Sequence, residues 1–286
     1  MRIARRKAGL REALEGARRD GLRIGLVPTM GALHEGHLSL VREARRSCGV
    51  VVVSLFVNPT QFGPGEDLEA YPRDEARDAE LLEAESVDLL YAPSRDEIYP
   101  PGFATRVEVS GLTEVLCGDH SRRGHEHFRG VTTVVAKLLN SVGPDVAYFG
   151  QKDAQQAAVL RRMVADLDFP VAIETLATVR EHDGLAMSSR NRYLDDGERG
   201  RAAALHRALE AASASAARGA TVEAAIDAAR SELAAAGIEP EYLEARDAED
   251  MTPVENFNGR PILVALAARI GPARLIDNVV IEPRRD

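Results

Sequence analysis

A short apolar stretch, residues 23–27, runs directly into Pro28-Thr29-Met30-Gly31-Ala32-Leu33-His34-Glu35-Gly36-His37, and a helical stretch over 38–48 follows. This order of strand, glycine-bearing turn and helix constrains the fold more than any other feature of the chain. It places two imidazoles, three residues apart, where a strand ends and a helix begins. A helix N-terminus carries unpaired N–H groups and the positive end of its dipole, so it suits an anion. Gly31 and Gly36 let a bulky anion approach the backbone. Two His side chains there can donate to phosphate oxygens as charge builds in a transition state. A nucleoside triphosphate is the simplest ligand for such a turn. Two alternatives stand beside it: histidines that only cap the helix, and zinc. His34 and His37 would supply two ligands where a structural zinc site needs about four, and no cysteine pair lies nearby.

The pattern recurs along the chain. The continuous apolar run over 50–57 suits a strand buried on both faces. Residues 74–84 read as an amphipathic helix, 88–91 as a short strand and 105–109 as an edge strand. Helix, strand, helix and strand follow at 132–139, 145–149, 154–164 and 171–176. Strands alternating with helices indicate βαβ units, an α/β fold and a mostly parallel sheet. Right-handed crossovers then bring the strand C-termini to one edge, where ligands bind. Pro28, Asn58, Gly150 and Val179 fall at or just past such ends. Beyond Val179 the character changes to Ala-rich helices over 199–236, broken near Gly219-Ala220-Thr221. Three strands, 240–246, 261–270 and 273–281, complete the chain. The expected division is therefore 1–178, an ATP- and substrate-binding domain, and 179–286, a smaller α+β C-terminal domain closing over the site.

Charge and composition restrict the partners. The 36 Lys and Arg stand against 45 Asp and Glu, a net charge of -9 that disfavours nucleic acid, so local cations must meet any anionic substrate. No apolar run is long enough to span a bilayer, and no apolar signal core follows the basic residues 1–6. Cys48 and Cys117 are too few for a disulfide framework, which fits a reducing compartment. The expectation is a cytoplasmic protein without nucleic-acid or membrane partners.

Several segments can carry chemistry. Asn58 and Gln61, in Asn58-Pro59-Thr60-Gln61-Phe62-Gly63, bring neutral hydrogen-bonding groups to the sheet edge, although Asn-Pro also simply starts a turn. Asp74, Glu75 and Asp78 suit a helix N-terminus, and Asp78 is the candidate for Mg2+, a hard cation that takes oxygen ligands. Residues 118–131 hold Arg122, Arg123, His125, His127 and Arg129, either a solvated loop or a mobile cover bringing cations to a triphosphate. Phe149-Gly150-Gln151-Lys152-Asp153-Ala154-Gln155-Gln156 repeats the strand, glycine, polar cluster and helix of the first segment. Lys152 can neutralise phosphate, Asp153 can accept from ribose or cap the helix, and Gln156 lies one turn on, where Gln61 also reaches. Met187-Ser188-Ser189-Arg190-Asn191, at the domain junction, offers hydroxyls and a guanidinium for a β,γ-phosphate clamp, or a polar linker.

Taken together, these segments resemble the pantothenate synthetase family, the ligases that join pantoate to β-alanine. The resemblance covers nearly the whole chain and includes Tyr71-Pro72-Arg73, His127-Phe128-Arg129-Gly130-Val131 and Arg274-Leu275-Ile276-Asp277-Asn278. It implies a Rossmann-like nucleotidyltransferase core with a His-x-Gly-His signature, usually in a homodimer. It further implies that ATP and pantoate, with Mg2+, give pantoyl adenylate and pyrophosphate, after which the β-alanine amine releases AMP. By the same resemblance His37 is the proton donor. His34, Lys152 and Arg190 stabilise charge, and Met30 to His37, Gly150 to Asp153, Val179 and Met187 to Arg190 line the ATP site. Gln61 and Gln156 bind pantoate, with Gln61 also near β-alanine, and Asp78 matches a position associated with Mg2+. Asn58 and His127 are also assigned to substrate. The family commonly reads Arg-Pro-Gly-His-Phe where this chain has Arg122-Arg123-Gly124-His125-Glu126 before His127-Phe128, so which arginine faces phosphate stays open. A nucleotidyltransferase acting on a phosphorylated alcohol and a non-catalytic nucleotide-binding protein are the competing readings.

Overall fold

The computed structural model describes residues 1–63, 65–257 and 259–283. The first part of the chain runs β1 (Arg2–Ala4), α1 (Lys7–Arg19), β2 (Ile24–Thr29), α2 (Glu35–Ser47), β3 (Val50–Leu55), α3 (Glu75–Ala84), β4 (Leu89–Tyr91), α4 (Arg95–Ile98), α5 (His125–Val142), β5 (Val146–Gly150), α6 (Ala154–Asp166) and β6 (Ala172–Leu176). The six strands form one parallel sheet in the order β1-β4-β3-β2-β5-β6. The chain leaves β2 toward β3 and β4 on one side, then returns to lay β5 and β6 on the other. Strand order thus reverses between β2 and β5, and a crevice opens there at the strand C-termini.

Side-chain alternation builds a core on each face of this sheet. Leu26, Val52, Leu89 and Phe149 pack with α1, α5 and α6, while Val27, Val51, Val53 and Tyr148 pack with Val41 and Ala44 of α2. Burial on both faces is why these strands read as unbroken apolar runs.

The chain continues through α7 (Asp196–Ala202), α8 (Ala204–Ala217) and α9 (Val222–Ala235) to an antiparallel sheet of β7 (Pro240–Asp247), β8 (Ile262–Ile270) and β9 (Ala273–Ile281). Strand β8 is covered on both sides. Val264, Leu266 and Ala268 pack with α8 and α9, whereas Leu263, Ala265 and Ala267 belong to the cluster that holds α5 and α6. One hydrophobic cluster therefore runs from the parallel sheet into the antiparallel one.

Local departures from the sequence reading have clear causes. Residues 105–109, expected as an edge strand, belong to no strand. Val107 instead donates its N–H to Thr133 Oγ1 at 3.0 Å and accepts from Thr132 Oγ1 at 2.6 Å, so α5 side chains replace a neighbouring strand. Helix α2 begins at Glu35 rather than residue 38 because His34 caps it. Residues 125–131, expected in a polar cover, form the first turns of α5. The short strand β1 carries no signal in the sequence; its three residues, two exposed and one buried, are too few to show a period.

Helix α5 also seats the turn Pro59–Gln61 through Gly130, where a Cβ would lie 2.3 Å from the Thr60 carbonyl oxygen. Gly130→Ala is expected to lower stability by about 1–3 kcal/mol, as for an overpacked contact. An unchanged urea midpoint would contradict this close packing.

Candidate active site

The turn after β2 is built from its backbone. Thr29 Oγ1 donates to the Ser54 carbonyl (2.8 Å) and accepts from Gly31 N–H (3.2 Å). Gly31 and Ala32 both take positive φ, 83° and 52°, a strained choice for Ala32. The strain is held by Asp78 of α3, whose two oxygens accept from the N–H groups of Ala32 and Leu33, each at 2.8 Å. Burial raises the Asp78 pKa, while these two bonds act in the opposite direction. Asp78, expected at Mg2+, is thus found as the brace of the turn, its carboxylate buried against the backbone. Among the described residues no group of three or more His, Cys, Asp or Glu could hold a metal ion.

Beyond the brace the two histidines cap α2. His34 Nδ1 accepts from Gly36 N–H at 3.2 Å, and His37 Nδ1 accepts from His34 N–H at 3.4 Å. In a neutral ring whose Nδ1 accepts, the proton sits on Nε2. The rings stand 4.1 Å apart. Burial, then the Lys152 and Arg192 charges, lowers His34 to about 4; burial, then His34 and Lys152, lowers His37 to about 3. Both are therefore neutral Nε2–H donors at pH 7. Gly36 is required, because a Cβ there would come within 2.9 Å of His34 Cε1. Within the same stretch Leu33 turns its side chain into the core, Glu35 pairs with exposed Arg42, and Met30 and Gly31 line a cavity of about 480 Å³ with Phe56 and Asp78.

Across the crevice, β5 ends at Gly150 and the turn Gln151–Asp153 follows. Asn278 of β9 clamps this turn: its Nδ2 donates to the carbonyls of Gln151 (2.9 Å) and Lys152 (3.0 Å), and its Oδ1 accepts from Gln151 Nε2 (3.1 Å). Asp277 orients Asn278 by accepting its N–H at 2.8 Å, and itself takes a bidentate Arg180 at 2.6 and 3.1 Å. Lys152 Nζ lies 3.8 Å from Asp153 Oδ1, beside the crevice. Sequence reasoning sees the Asp277-Asn278 motif but not its chemistry, because its partners lie far away along the chain.

The segment near Val179 folds back on itself, Met187 N–H donating to the Val179 carbonyl at 3.0 Å. Ser188 Oγ accepts from Arg190 N–H at 3.3 Å, and Ser189 Oγ donates to Tyr71 Oη at 3.4 Å. Arg190 pairs with Asp67 through Nε (3.0 Å) and Nη2 (2.9 Å). Of the arginines over 122–129, Arg123 is the one at the site. It pairs with Glu66 at 2.9 and 2.8 Å, whereas Arg122 is held by Glu244 and Arg129 by Glu126. Successive acidic residues of one loop, Glu66 and Asp67, thus occupy two arginines of the crevice.

Gln61 is buried with its amide oriented. Asn58 Nδ2 donates to Gln61 Oε1 (2.9 Å) and to the Gly130 carbonyl (3.1 Å), while Asn58 Oδ1 accepts from Thr60 and Tyr99. Gln61 consequently offers its two Nε2–H donors. Asn58, expected at substrate, is fully buried and its polar atoms are used by protein, so it orients Gln61. Both ring nitrogens of His127, expected at substrate, are likewise bonded within the protein, to Gln61 and Arg123. Gln156 lines a small cavity of about 50 Å³ with Lys152, Asp153 and His127, while its neighbour Gln155 is spent on backbone groups of Leu112, Val115 and Cys117.

A parallel sheet with a histidine-capped helix and a lysine turn at its reversal point defines a nucleotidyltransferase-type α/β protein. The pantoate–β-alanine ligase family model matches residues 2–280. A pantothenate synthetase of Moorella thermoacetica is 54% identical over 284 residues, covering 99% of each chain. One from Novosphingobium aromaticivorans is 51% identical, covering 99% of this chain and 100% of its own. The crystal structure of the Thermus thermophilus pantothenate synthetase superposes with a TM-score of 0.92 at 48% identity, covering 99% of this chain and 100% of that one. The Francisella tularensis pantoate–β-alanine ligase, complexed with β-γ ATP and β-alanine, superposes with a TM-score of 0.80 at 34% identity, covering 98% and 97%. The chain belongs to the pantoate–β-alanine ligase family.

The histidine environment makes stability depend on pH. Well above pH 6.5 His34 and His37 are neutral in folded and unfolded states, and their contribution is complete. As pH falls from 6.5 toward about 4 for His34 and about 3 for His37, the unfolded chain binds more protons and stability is lost. Urea midpoints should therefore drop more on acidification in the wild type than in a His34→Asn/His37→Asn variant, whose amides can still accept at the cap. Parallel curves would contradict buried neutral histidines.

Proposed function

We propose that this protein joins pantoate to β-alanine with ATP, forming pantothenate, the coenzyme A precursor, by way of pantoyl adenylate. The observation that carries this reading is the meeting, where strand order reverses, of two Nε2–H donors, a helix N-terminus and the Lys152 turn, with the oriented Gln61 amide beside them. The Francisella tularensis relative, complexed with β-γ ATP and β-alanine, supports the substrate assignment.

In the first step a pantoate carboxylate oxygen attacks the α-phosphorus. The new P–O bond forms as the bond to the β-phosphate bridging oxygen breaks, and pyrophosphate leaves. Negative charge grows on the α-phosphate and the leaving group. His34 and His37 meet it with neutral N–H donors, and Lys152 with a point charge, all fixed before the reaction. His37, the family's assigned proton donor, acts here as a hydrogen-bond donor from Nε2. Gln61 and Gln156 hold pantoate oxygens. Gly150, Gln151, Asp153 and Val179 line the nucleotide, and Met187, Ser188, Ser189 and Arg190 the phosphates. In the second step the β-alanine amine attacks the acyl carbon, the C–N bond forms, the C–O bond to AMP breaks and the amine loses a proton.

Mg2+ enters with ATP as part of the substrate. The residues around Asp78 do not fit a resident metal, because both carboxylate oxygens are spent on the N–H groups of Ala32 and Leu33 and, among the described residues, no group of three or more His, Cys, Asp or Glu could hold a metal ion. The two buried free cysteines fit a cytoplasmic enzyme, and the family resemblance supports a homodimer. The antiparallel domain, 179–286, completes the site through Asn278 and Arg190.

The direct test supplies ATP and Mg2+ with pantoate and then adds β-alanine. Pyrophosphate that requires pantoate, followed by AMP and pantothenate that require β-alanine, supports the ligase. A nucleotide retained on the product would indicate a nucleotidyltransferase instead. His37→Ala should slow adenylate formation by about 10² or more without unfolding the protein, as for loss of a transition-state donor; near-normal turnover would remove His37 from the mechanism. Asp67→Asn leaves Arg190 without its internal carboxylate, so KM for ATP should fall several-fold. A rise in KM would mean that Asp67 positions Arg190 rather than competing with phosphate.

A further inference from the structure

The first turns of α5 hold the main chain of Gln61. His127 Nδ1 lies 2.8 Å from the Gln61 carbonyl oxygen, so Nδ1 carries the proton and donates. Arg123 Nη1 lies 3.2 Å from His127 Nε2, and a guanidinium only donates, so Nε2 accepts. The two contacts agree on one neutral tautomer. Arg123 Nη2 donates to the same Gln61 carbonyl at 3.2 Å, and Glu66 fixes the guanidinium from the other side. Gly130, one turn along the helix, leaves room for the Thr60 carbonyl to approach. Asn58 meanwhile sets the direction of the Gln61 side chain.

We infer that His127, backed by Arg123, is a positioning residue for pantoate recognition: it touches no substrate and acts by fixing the Gln61 backbone, so that the two Nε2–H donors stand where pantoate oxygens arrive. The inference rests on the reading that Gln61 binds pantoate. It also gives separate tasks to the two sides of the turn. Asn58 chooses which end of the amide faces the ligand, and His127 sets how far the amide reaches. A displacement of the carbonyl moves the side chain with it. Small shifts of that kind weaken a hydrogen bond steeply, because its strength falls with angle and distance.

The test is pantoate-dependent pyrophosphate release, which stops before β-alanine enters, in Gln61→Ala, His127→Asn and His127→Gln, with ATP binding followed by calorimetry. Asparagine places an amide nitrogen near the position of Nδ1 and can still donate to Gln61. Glutamine reaches toward the Nε2 position and loses that donor. His127→Asn should keep KM for pantoate within about threefold of wild type, and His127→Gln should raise it about tenfold, as for a lost hydrogen bond. ATP affinity should stay within about twofold in both, since Glu66 still holds Arg123 when its His127 contact is changed and the other groups assigned to ATP lie away from the substitution. Equal effects of the two substitutions, or parallel losses for ATP and pantoate, would overturn the positioning role. If Gln61→Ala raises KM for pantoate while neither His127 variant does, the positioning role alone fails. If Gln61→Ala leaves that KM unchanged, the assignment of Gln61 fails and the inference with it.

Discussion

The Asp78 carboxylate, accepting two backbone N–H groups at 2.8 Å, is the interaction on which the site depends. It lets Ala32 keep a left-handed conformation that an unaided alanine disfavours. That conformation turns the chain from β2 into α2 so that His34 and His37 meet the first N–H groups of the helix. Once their Nδ1 atoms accept from the backbone, the proton is directed to Nε2. A buried acid of α3 thereby decides which face of each imidazole a ligand meets. The same carboxylate is what a metal would seek, but both of its oxygens are already spent on the backbone of the turn.

Electrostatics at the crevice are arranged against the overall charge. The chain carries -9, yet Lys152, Arg123 and Arg190 gather at one sheet edge. Before a ligand arrives, Glu66 and Asp67 balance the two arginines. The histidines stay uncharged, so the site holds donors without the full repulsion of additional cations. In the proposed reaction triphosphate would exchange for the loop carboxylates, swapping one set of charge-assisted hydrogen bonds for another. The lysine turn is fixed from the opposite side by Asn278, whose strand β9 shares a hydrophobic cluster with α5 and α6 through β8. Such a packed junction keeps the turn and the histidines in register.

Much of this is legible in the sequence. Strands buried on both faces declare themselves as apolar runs, and glycine-bearing polar segments after them mark the binding edge; hence pattern alone gives the parallel sheet and singles out the turns of His34, His37 and Lys152, whereas Gln61 and the segment 187–190 draw their assigned roles from the family resemblance. The rest depends on partners that pattern cannot pair. Asp78 lies 45 and 46 residues from the N–H groups it holds, and Asn278 lies 126 and 127 residues from the carbonyls it clamps. An acidic residue at a helix start looks the same whether it serves the dipole, a metal or a distant turn. Asn58 and His127 are recognisable as polar residues at the right edge, but only their partners reveal that they orient Gln61. The start of α5 is hidden because its first turns are rich in His and Arg, and residues 105–109 look like a strand because α5 side chains serve their backbone as a strand would.

Catalysis in this account rests on two neutral imidazoles protonated on Nε2. Nitrogen-15 NMR of the folded, ligand-free protein with labelled histidine, assigned through His34→Asn and His37→Asn, measures this directly. Both rings are expected to show the Nε2–H tautomer at pH 7 and to remain neutral at pH 5, below the ordinary value of 6.5 and above the shifted values of about 4 and about 3. An imidazolium at pH 7, or a proton on Nδ1 of either ring, would contradict the capping geometry and the catalytic role built on it.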